Sequence, residues 1–384
     1  MKIAVVSFGH SDSALSMVKA LSGKSHVTHF LSFAQNRKRN NVIDFQALDV
    51  SCGLQPQKIN NQVFYHELDQ FINERFRQHL FIYHNLKLYS FRNLLLSFRF
   101  ARILRRYNVI HFNGFNAVLP HLMLFLCRKK MIFTIHDVQH HSGEYSRFGY
   151  YMVRYLLWSK HPVILQNRND FTRIQHQYPE KSESLYCIPF GKLSVYKFFS
   201  GHGAGDHDSD FLFFGRVSKY KGIEYLVEAV KRIHEKYPNL KVIIAGGGDY
   251  HFDIKKKIDG LPVKLLHRFI PTHELVGLIQ RTSVVVCPYT DATQSGVVMT
   301  AYVFNRPVIA TNVGGFEEVV KNGVHGFLVP PRDDETLAEA MSRMLDEPDL
   351  LDNMRRNIEN DQDLEDFKWD KIADSIISVY NNLV

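Results

Sequence analysis

Short apolar runs alternate along the chain with segments in which apolar residues recur at helical spacing. The runs predict buried strands and the periodic segments predict amphipathic helices. The predicted strands are Lys2–Val6, Val27–Phe33, Val109–Phe112, Met131–Ile135, Val163–Gln166, Tyr186–Ile188, Phe211–Phe214, Leu240–Ala245, Val263–Leu266, Val284–Val286, Val308–Ala310 and Phe327–Val329. Because strands and helices alternate from one end of the chain to the other, we expect an α/β fold with two doubly wound parallel sheets.

The segment SGHGAGDHDSD, residues 200–210, is polar, rich in glycine and free of large apolar side chains. This composition is typical of a flexible linker between domains. Its Asp-His-Asp triplet also has the residue types of a metal site, but the linker composition favours a simple connection. We therefore predict a first domain over residues 1–199, a second over 211–366, and a closing amphipathic helix within 367–384.

The composition limits the class of protein. With 45% hydrophobic and 22% charged residues, the 384-residue chain resembles a soluble globular protein. The cysteines have no metal-ligand spacing and are typical of reduced thiols in the cytosol. They are Cys52, Cys127, Cys187 and Cys287. The early polar residues of MKIAVVSFGH argue against a signal peptide, and no apolar run has the length of a membrane span, so we expect a cytoplasmic location.

Positive charge is concentrated in the first half of the chain. The net charge is +8, and no Asp or Glu occurs from Arg75 through His136. The helical spacing between Phe91 and Leu104 brings several arginines near one face; these are Arg92, Arg99, Arg102 and Arg106. This face is consistent with a solvated helix surface or with a patch that docks on anionic lipid headgroups. Nucleic acid is a third option, but no nucleic-acid module is visible.

Several polar residues and glycines directly follow predicted strands of the first domain. Gly9 and His10 follow the first strand, where parallel α/β sheets bind ligands, but the G-x-G-x-x-G spacing of dinucleotide sites is missing. Two later strands end in Asn113-Gly114 and in His136-Asp137. A single histidine is usually structural, but the place of His136 at a strand end favours contact with a substrate.

The stretch CPYTDATQSGVVMTAYVFNRPVIATNVGG, residues 287–315, has the pattern of strand end, polar loop, helix and second strand. Its loop brings Gln294, Ser295 and Gly296 to the start of the helix. Free N–H groups and the positive end of the helix dipole make such a point suitable for a phosphate. An ordinary crossover with a capping serine fits the stretch equally well, so the pattern alone leaves both interpretations open.

Four motifs of the second domain resemble, in order and spacing, the retaining glycosyltransferases of family 4, which have the GT-B architecture. They are FFGRVSKYKGIEYLVEAV, VIIAGGGD, SGVVMTAYVFNRPVIATNVGGFEEVV and NGVHGFLVPPRD. IHD and IPFGKL resemble weaker signatures of the first domain, and FKWDKIADSIISVYNNL resembles the helix that crosses back to it. The resemblance implies two Rossmann-like domains with a cleft between them and the nucleotide-sugar donor mainly against the second.

The resemblance also implies an activity and residue roles. It implies transfer of a sugar from a UDP- or GDP-sugar, with retention at the anomeric carbon and without metal or other cofactor. Arg216 and Lys221 match the cations that neutralise the donor diphosphate, and His136 matches a histidine near the transferred sugar; these three are the predicted catalytic residues. The other predicted donor-binding residues are Gly9, Gly215, Phe269, Ile270, Gln294, Ser295, Gly296, Val297 and Thr300. The predicted acceptor or sugar contacts are His10, Asn113, Gly114, Asp137 and Asp291.

One departure from the family pattern bears on function. Ala292 and Thr300 occupy the positions where the family usually has two glutamates. Our leading hypothesis is an active variant that builds a surface polysaccharide on a saccharide or lipid-linked saccharide acceptor, with Asp291, Thr293 or Gln294 replacing one carboxylate. A catalytically silent GT-B partner subunit is the second hypothesis. A sugar-nucleotide epimerase is a third, which no motif of the second domain supports.

Overall fold

The structure is a computed structural model that describes residues 1–35, 39–40, 43–44, 50–56, 75–139, 146–200, 208–294, 296–360 and 362–383. Most of the predicted linker and Ser295 lie outside the described residues. The chain folds into two compact units. The first contains Met1–Val138, Ser146–Gly191 and Asp366–Val384, and the second contains Lys192–Glu365. Each unit therefore has its own core and sheet.

In its described part, the first unit is built on an eight-stranded sheet of order β10-β9-β8-β7-β1-β2-β6-β5. The strands are β1 (Lys2–Ser7), β2 (His26–Ala34), β3 (Arg39–Asn40), β4 (Ile43–Asp44), β5 (Gly53–Leu54), β6 (Phe76–Tyr83), β7 (Val109–Asn113), β8 (Lys130–Ile135), β9 (Val163–Leu165) and β10 (Leu185–Cys187). All neighbours in the sheet are parallel except β5 and β6, while β3 and β4 form a separate antiparallel pair.

The sequence pattern did not predict strand β6. Its residues FRQHLFIY contain Arg77, Gln78 and His79, which break the apolar run. Gln78 is nevertheless buried, because the strand lies between β2 and β5 inside the sheet. Pairing with β2 along its whole length supplies backbone hydrogen bonds that local side-chain pattern does not reveal.

Four helices of the first unit pack on one face of its sheet. The α-helices of this unit that precede the second unit in the chain are α1 (Ser11–Ser22), α2 (Phe91–Leu104), α3 (Leu119–Phe125), α4 (Arg147–Trp158) and α5 (Arg168–Gln177). Phe100 of α2, Leu122 of α3, Leu156 of α4 and Ile174 of α5 belong to one core with residues of the central strands. Since side chains alternate between faces along a strand, a shared core places α2 to α5 on the same side of the sheet.

The second unit contains a six-stranded parallel sheet of order β13-β12-β11-β14-β15-β16 among its described residues. Its strands are β11 (Ser209–Phe214), β12 (Val242–Ala245), β13 (Val263–Leu266), β14 (Thr282–Cys287), β15 (Val308–Thr311) and β16 (Gly326–Val329). Its helices are α6 (Ile223–Ile233), α7 (Ile254–Lys257), α8 (Thr272–Gln280), α9 (Gly296–Val303), α10 (Phe316–Val319), α11 (Asp334–Asp346) and α12 (Pro348–Asn360). The expected pair of doubly wound parallel sheets is confirmed.

The division between the units lies at Gly191 rather than at Phe199, where the sequence analysis placed it. Residues 192–200 contain a short 3-10 helix, Ser194–Phe199, which contacts α8 and α9 of the second unit. The Phe199 ring lies 5.1 Å from the ring of His273. The apolar side of this turn is buried against helices of the second unit, so residues 192–200 belong to that unit and not to the first.

The last helix, α13 (Trp369–Leu383), belongs to the first unit. Lys24, which follows α1, forms a 2.6 Å ion pair with Asp374, and the Tyr380 hydroxyl lies 2.6 Å from Nδ1 of the buried His111 on β7. Any side chain at Gly191 would contact Trp369 more closely than packed atoms allow, so only glycine permits this approach. No helix in the described ranges combines the length and the apolar composition needed to cross a bilayer.

Candidate functional site

Each sheet has one point at which the order of the strands along the chain reverses. In the first sheet this point lies between β1 and β7, and in the second it lies between β11 and β14. Doubly wound sheets bind ligands outside the carboxyl ends of the strands at such points. Gly9 and Asn113 adjoin the first switch point, and Gly215 and Tyr289 adjoin the second. The predicted site residues are therefore concentrated where each sheet is open to a ligand.

In the second unit, the turn after β11 packs against the start of α9. Gly215 has φ 125°, and a side chain there would lie 3.6 Å from Cγ2 of Val297. Arg216, the next residue, is exposed at this turn. Gly296 begins α9, and a side chain there would contact Leu193 at 3.4 Å. The turn that carries Arg216 thus meets the N–H groups of a helix start.

Lys221 lies against two tyrosine rings at the second switch point. Its Nζ is 3.7 Å from the ring centroid of Tyr289 and 4.8 Å from that of Tyr220. An ammonium at this range is attracted by the ring quadrupole. Gly222 has φ 63°, and a side chain there would overlap the carbonyl of Pro288. The loop after β14 is therefore pressed against the turn of Lys221, and buried Tyr289 holds the ammonium at the end of the sheet.

A buried thiol lies below this lysine. Burial raises the pKa of Cys287 to about 12, and the Lys221 ammonium and the Tyr289 hydroxyl act in the opposite direction with smaller effect. The thiol is therefore protonated at neutral pH, and a thiolate nucleophile is excluded at this position. The positive charge of Lys221 lies at this end of the sheet, where it attracts an anion.

The segment after β13 borders the turn after β12. A side chain at Gly247 would lie 3.3 Å from the backbone N of Phe269, so the two backbones are in close contact. Phe269 is 39% exposed and Ile270 is half-buried. Arg268 donates to both carboxylate oxygens of Glu274, at 2.8 and 2.5 Å. Because this ion pair occupies the guanidinium, the exposed ring of Phe269 is the part of the segment suited to a planar group.

The two positions that lack glutamate are both buried. Ala292 is held in its loop because a side chain at Gly314 would overlap its carbonyl. Thr300 is 2% exposed. Its hydroxyl donates to the Gly296 carbonyl at 2.6 Å, so the hydroxyl proton is used within α9. Next to them, Nε2 of Gln294 is buried without a hydrogen-bond partner among the described residues. Gln294 is therefore better placed than Thr300 to donate to a ligand, and Asp291 is half-buried in the same loop.

In the first unit, two histidines stack at the first switch point. The rings of His10 and His136 have centroids 4.2 Å apart. His10 has a left-handed backbone at the start of α1, and a side chain at Gly114 would lie 3.5 Å from the His136 ring. Gly9 borders open space in the described structure. Burial, with a smaller contribution from His10, lowers the pKa of His136 to about 3, so its imidazole is neutral at pH 7.

Three buried polar atoms near this stack have no hydrogen-bond partner in the part of the chain that is described. They are Nδ2 of Asn113, Nε2 of His136 and Oε1 of Gln166. Their residues end or follow β7, β8 and β9, which are neighbours in the sheet. Gln166 also interacts with His136 and acts to raise the pKa of its ring. Unpaired buried groups are costly, so polar atoms of this kind at one edge indicate a polar ligand such as a sugar hydroxyl. The sequence analysis missed Gln166, although its position after a strand was the same signal that identified His136; Asp137 follows His136 directly.

Comparison with known proteins finds a family match in the second unit. Residues 197–361 match the family model described as Glycosyl transferases group 1. This match lies wholly within the second unit. The resemblance that its motifs showed is thereby confirmed. The matched residues include Arg216, Lys221, Gln294 and Gly296, which are four of the residues that the sequence analysis assigned to the donor.

Curated relatives match less than half of the chain. An uncharacterised glycosyltransferase of Methanocaldococcus jannaschii is 30% identical over 187 residues, which are 46% of this chain and 46% of the relative. The α-D-kanosaminyltransferase of Streptomyces kanamyceticus is 29% identical over 154 residues, 38% of this chain and 39% of the relative. The chain thus spans less than half the length of these curated relatives.

Solved structures match along the whole chain. HepE of Anabaena, crystallised with UDP and glucose, aligns over 100% of both chains with TM-score 0.70 and 18% identity. The sucrose-phosphate synthase of Thermosynechococcus elongatus aligns over 100% of this chain and 99% of its own, with TM-score 0.65 and 19% identity. At this level of identity the likeness establishes the fold, which is GT-B, as the sequence analysis predicted.

Proposed function

We propose that this protein is a retaining hexosyltransferase that moves a sugar from a UDP- or GDP-sugar to a saccharide or lipid-linked saccharide acceptor. The observation that carries the proposal is the meeting of Arg216, Lys221 and the start of α9 at the switch point of the second unit. Two cations and the backbone N–H groups of a helix start form a site for a diphosphate. The crystallisation of HepE with UDP-glucose supports a donor of this class.

The proposed chemistry follows from the charge that develops on the leaving group. When the bond between the sugar and the nucleotide diphosphate breaks, the diphosphate gains negative charge. Arg216 can bind two of its oxygens, while Lys221 acts as a point charge and the amides of Gly296 and Val297 donate hydrogen bonds. These groups supply the electrostatic role that a divalent metal would otherwise take, which is the basis for proposing metal-independent transfer.

We assign the polar group at the first switch point to the transferred sugar and the acceptor. His136 is neutral at pH 7, so its ring can donate one hydrogen bond and accept another without carrying charge. Asn113 supplies a buried donor without a partner among the described residues, and Gln166 supplies an acceptor next to His136. Such a mixed set suits sugar hydroxyls, each of which both donates and accepts. His10, Gly114 and Asp137 complete the proposed contacts.

We further propose that the protein works in surface polysaccharide synthesis as a peripheral protein on the cytoplasmic face of a membrane. The support is the basic first unit, whose described helices α2, α3 and α4 contain no acidic side chain. Positive surface potential attracts an anionic lipid-linked acceptor and the membrane that contains it. Nucleic acid is not proposed as a partner, since neither unit has the fold of a nucleic-acid module.

A catalytically silent partner subunit is the second candidate function. The observation in its favour is that Ala292 and Thr300 are buried and provide no carboxylate where the family usually has two. Hydrolysis or transfer of a donor by the purified protein distinguishes the candidates, because a silent subunit binds without turnover. Retention of the anomeric configuration is read from the product by NMR.

A nucleotide-sugar donor should raise the melting temperature in the absence of metal. Saturation at about a hundred times Kd corresponds to about 2.7 kcal/mol of added stability. For a domain of this size the shift is roughly 5 °C. We expect a UDP- or GDP-sugar to produce it in buffer containing EDTA, measured by thermal shift against uridine as the control. A shift that appears only with added Mg²⁺ would contradict metal independence.

Replacing Tyr289 by leucine should weaken transfer, while replacing it by phenylalanine should not. The contact between the Lys221 ammonium and the Tyr289 ring requires an aromatic face but no hydroxyl. We expect kcat/KM to fall roughly tenfold in Tyr289→Leu, since such contacts contribute about 1 to 2 kcal/mol when desolvated. Steady-state kinetics checks this, with melting curves to confirm that both variants fold. Equal losses in the two variants would show that the Tyr289 hydroxyl, rather than the contact of its ring with the ammonium, is what matters.

A further inference from the structure

The outer face of α4 consists only of aromatic and arginine side chains. The exposed positions of this helix follow one another at helical spacing. They are Arg147, Tyr150, Tyr151, Arg154, Tyr155 and Trp158. Trp158 is 75% exposed and Tyr151 is 68% exposed, although both have large apolar surfaces. A helix face that only meets water normally carries Glu, Lys, Gln or Ser, so this composition requires another explanation.

The outer face of α2 has the same composition with aliphatic residues added. Its exposed positions are Phe91, Arg92, Leu95, Phe98, Arg99 and Arg102. The Phe98 ring contacts Phe125 at the end of α3 with centroids 5.4 Å apart, and Leu124 of α3 is 65% exposed. The apolar and basic surface therefore continues from α2 onto α3. Because the inner sides of α2, α3 and α4 share one core, their outer sides face the same direction.

Exposed apolar surface is concentrated on this layer. Of the twelve large hydrophobic side chains that are exposed in the described ranges, nine lie on α2, α3 or α4 or directly before α2. They are Tyr89, Phe91, Leu95, Phe98, Leu124, Tyr150, Tyr151, Tyr155 and Trp158. The remaining three, Met1, Leu54 and Phe269, are scattered. We call the outer face formed by α2, α3 and α4 the aromatic–basic face.

Charge on this face has one sign. None of the three helices contains Asp or Glu. Just beyond α3, a recess of about 260 Å³ is lined by Arg128, Lys129, Lys130 and Asn108. Its three cations and one amide suit a phosphate group. Arginines also lie within the aromatic set rather than around it: the Arg154 guanidinium donates to the Tyr150 hydroxyl at 3.1 Å and lies over its ring.

We propose that the aromatic–basic face docks on an anionic lipid bilayer, with its aromatic rings at the level of the headgroups and its arginines on lipid phosphates. Tyr and Trp prefer this interface because one end of the side chain is apolar and the other is polar. Arginine extends its charged end toward phosphate while its stem covers apolar surface. Anionic headgroups match this face because its helices contain no acidic residue and the recess just beyond α3 is lined by three cations.

This inference rests on the peripheral membrane setting proposed above and uses none of the donor-binding residues. It adds the identity of the surface and the chemistry of its partner. The docking also determines which side of the first unit faces the lipid, namely the side covered by α2, α3 and α4. Loss of docking should therefore reduce transfer to a membrane-bound acceptor and leave the binding of a soluble donor unchanged.

Trp158 provides a direct test on the unmodified chain. The sequence has two tryptophans, and the other, Trp369, is buried. We expect Trp158 fluorescence to shift to shorter wavelength on vesicles of equimolar phosphatidylglycerol and phosphatidylcholine. We also expect it to be quenched when the acyl chains of the lipids are brominated. Pure phosphatidylcholine vesicles should bind at least tenfold more weakly, and added salt should weaken binding to the anionic vesicles. Equal binding to both vesicles, or no binding to either, would overturn the proposal.

Two pairs of variants separate docking from folding and from donor binding. Arg99→Glu with Arg154→Glu, and Tyr151→Ser with Trp158→Ser, should each weaken sedimentation with the anionic vesicles roughly tenfold or more. Lys255→Glu with Lys256→Glu, exposed in the second unit, and Leu54→Ser, exposed in the first, are the matched controls and should bind as the parent does. All variants should keep the thermal shift with donor. Parent-like vesicle binding by both face variants would refute the assignment, as would a dimer of the parent chain in sedimentation velocity that both face variants abolish.

Discussion

Replacing Arg216 by alanine should lower kcat/KM for sugar transfer by about a hundredfold to a thousandfold, the loss typical of one group that stabilises charge in a transition state. Arg216 is exposed at the turn after β11 and lies beside the start of α9, where the proposed diphosphate binds. The effect should fall on both donor affinity and turnover, because the diphosphate gains charge as the sugar leaves. Steady-state kinetics over a range of donor concentrations measures the two contributions.

The control for this prediction is Arg356→Ala, which removes an exposed arginine of α12. Both variants should melt within a degree or two of the parent, because exposed substitutions change stability by roughly 0.5 kcal/mol or less. Arg216→Lys should recover part of the activity, since lysine keeps the positive charge but cannot form the bidentate hydrogen bond. Full activity in Arg216→Ala would remove the basis of the proposed function.

Acidification from pH 7 to pH 5 should destabilise the first unit by about 6 kcal/mol, which is comparable to the whole stability of many domains. Burial lowers the pKa of His29, His111 and His136 to about 3 each. In the unfolded chain their pKa is about 6.5, so below this pH the unfolded state binds protons that the folded state excludes. Stability is therefore full above pH 6.5 and is lost as the pH falls toward 3, with about 2 kcal/mol per histidine at pH 5.

Urea unfolding between pH 5 and pH 8 tests this prediction, with His29→Gln as the variant. His29 lies 2.9 Å from the Ser7 hydroxyl and faces Gln78, so its replacement also lowers stability at pH 8. The decisive quantity is the slope of stability with pH, which should fall, though by less than a third, because the pKa of His79 and of His161 is also lowered by burial and their contribution remains. His26→Gln, exposed on the same strand, should keep the parent slope. An unchanged slope in His29→Gln would show that His29 is not excluded from protonation by the fold.

Much of the architecture followed from local pattern. The alternation of apolar runs and helical segments predicted two parallel α/β sheets because strands buried on both faces and amphipathic helices differ in period. Strand β6 was not predicted from the pattern, since Arg77 and His79 interrupt its apolar run and its stability comes from pairing with β2. The boundary at Gly191 also escaped it, because the packing of Phe199 on α8 is a tertiary contact.

The sequence by itself determined the alternation of elements, the polar residues at strand ends and the positions of Arg216, Lys221 and His136, because these depend on order and spacing along the chain. Only the tertiary structure decided the strand order, and with it the two switch points. It also decided that the Lys221 ammonium contacts the Tyr289 ring, and that the outer sides of α2, α3 and α4 form a single face. Such contacts join residues that are distant in sequence, and their free energy depends on burial and approach that no local pattern records.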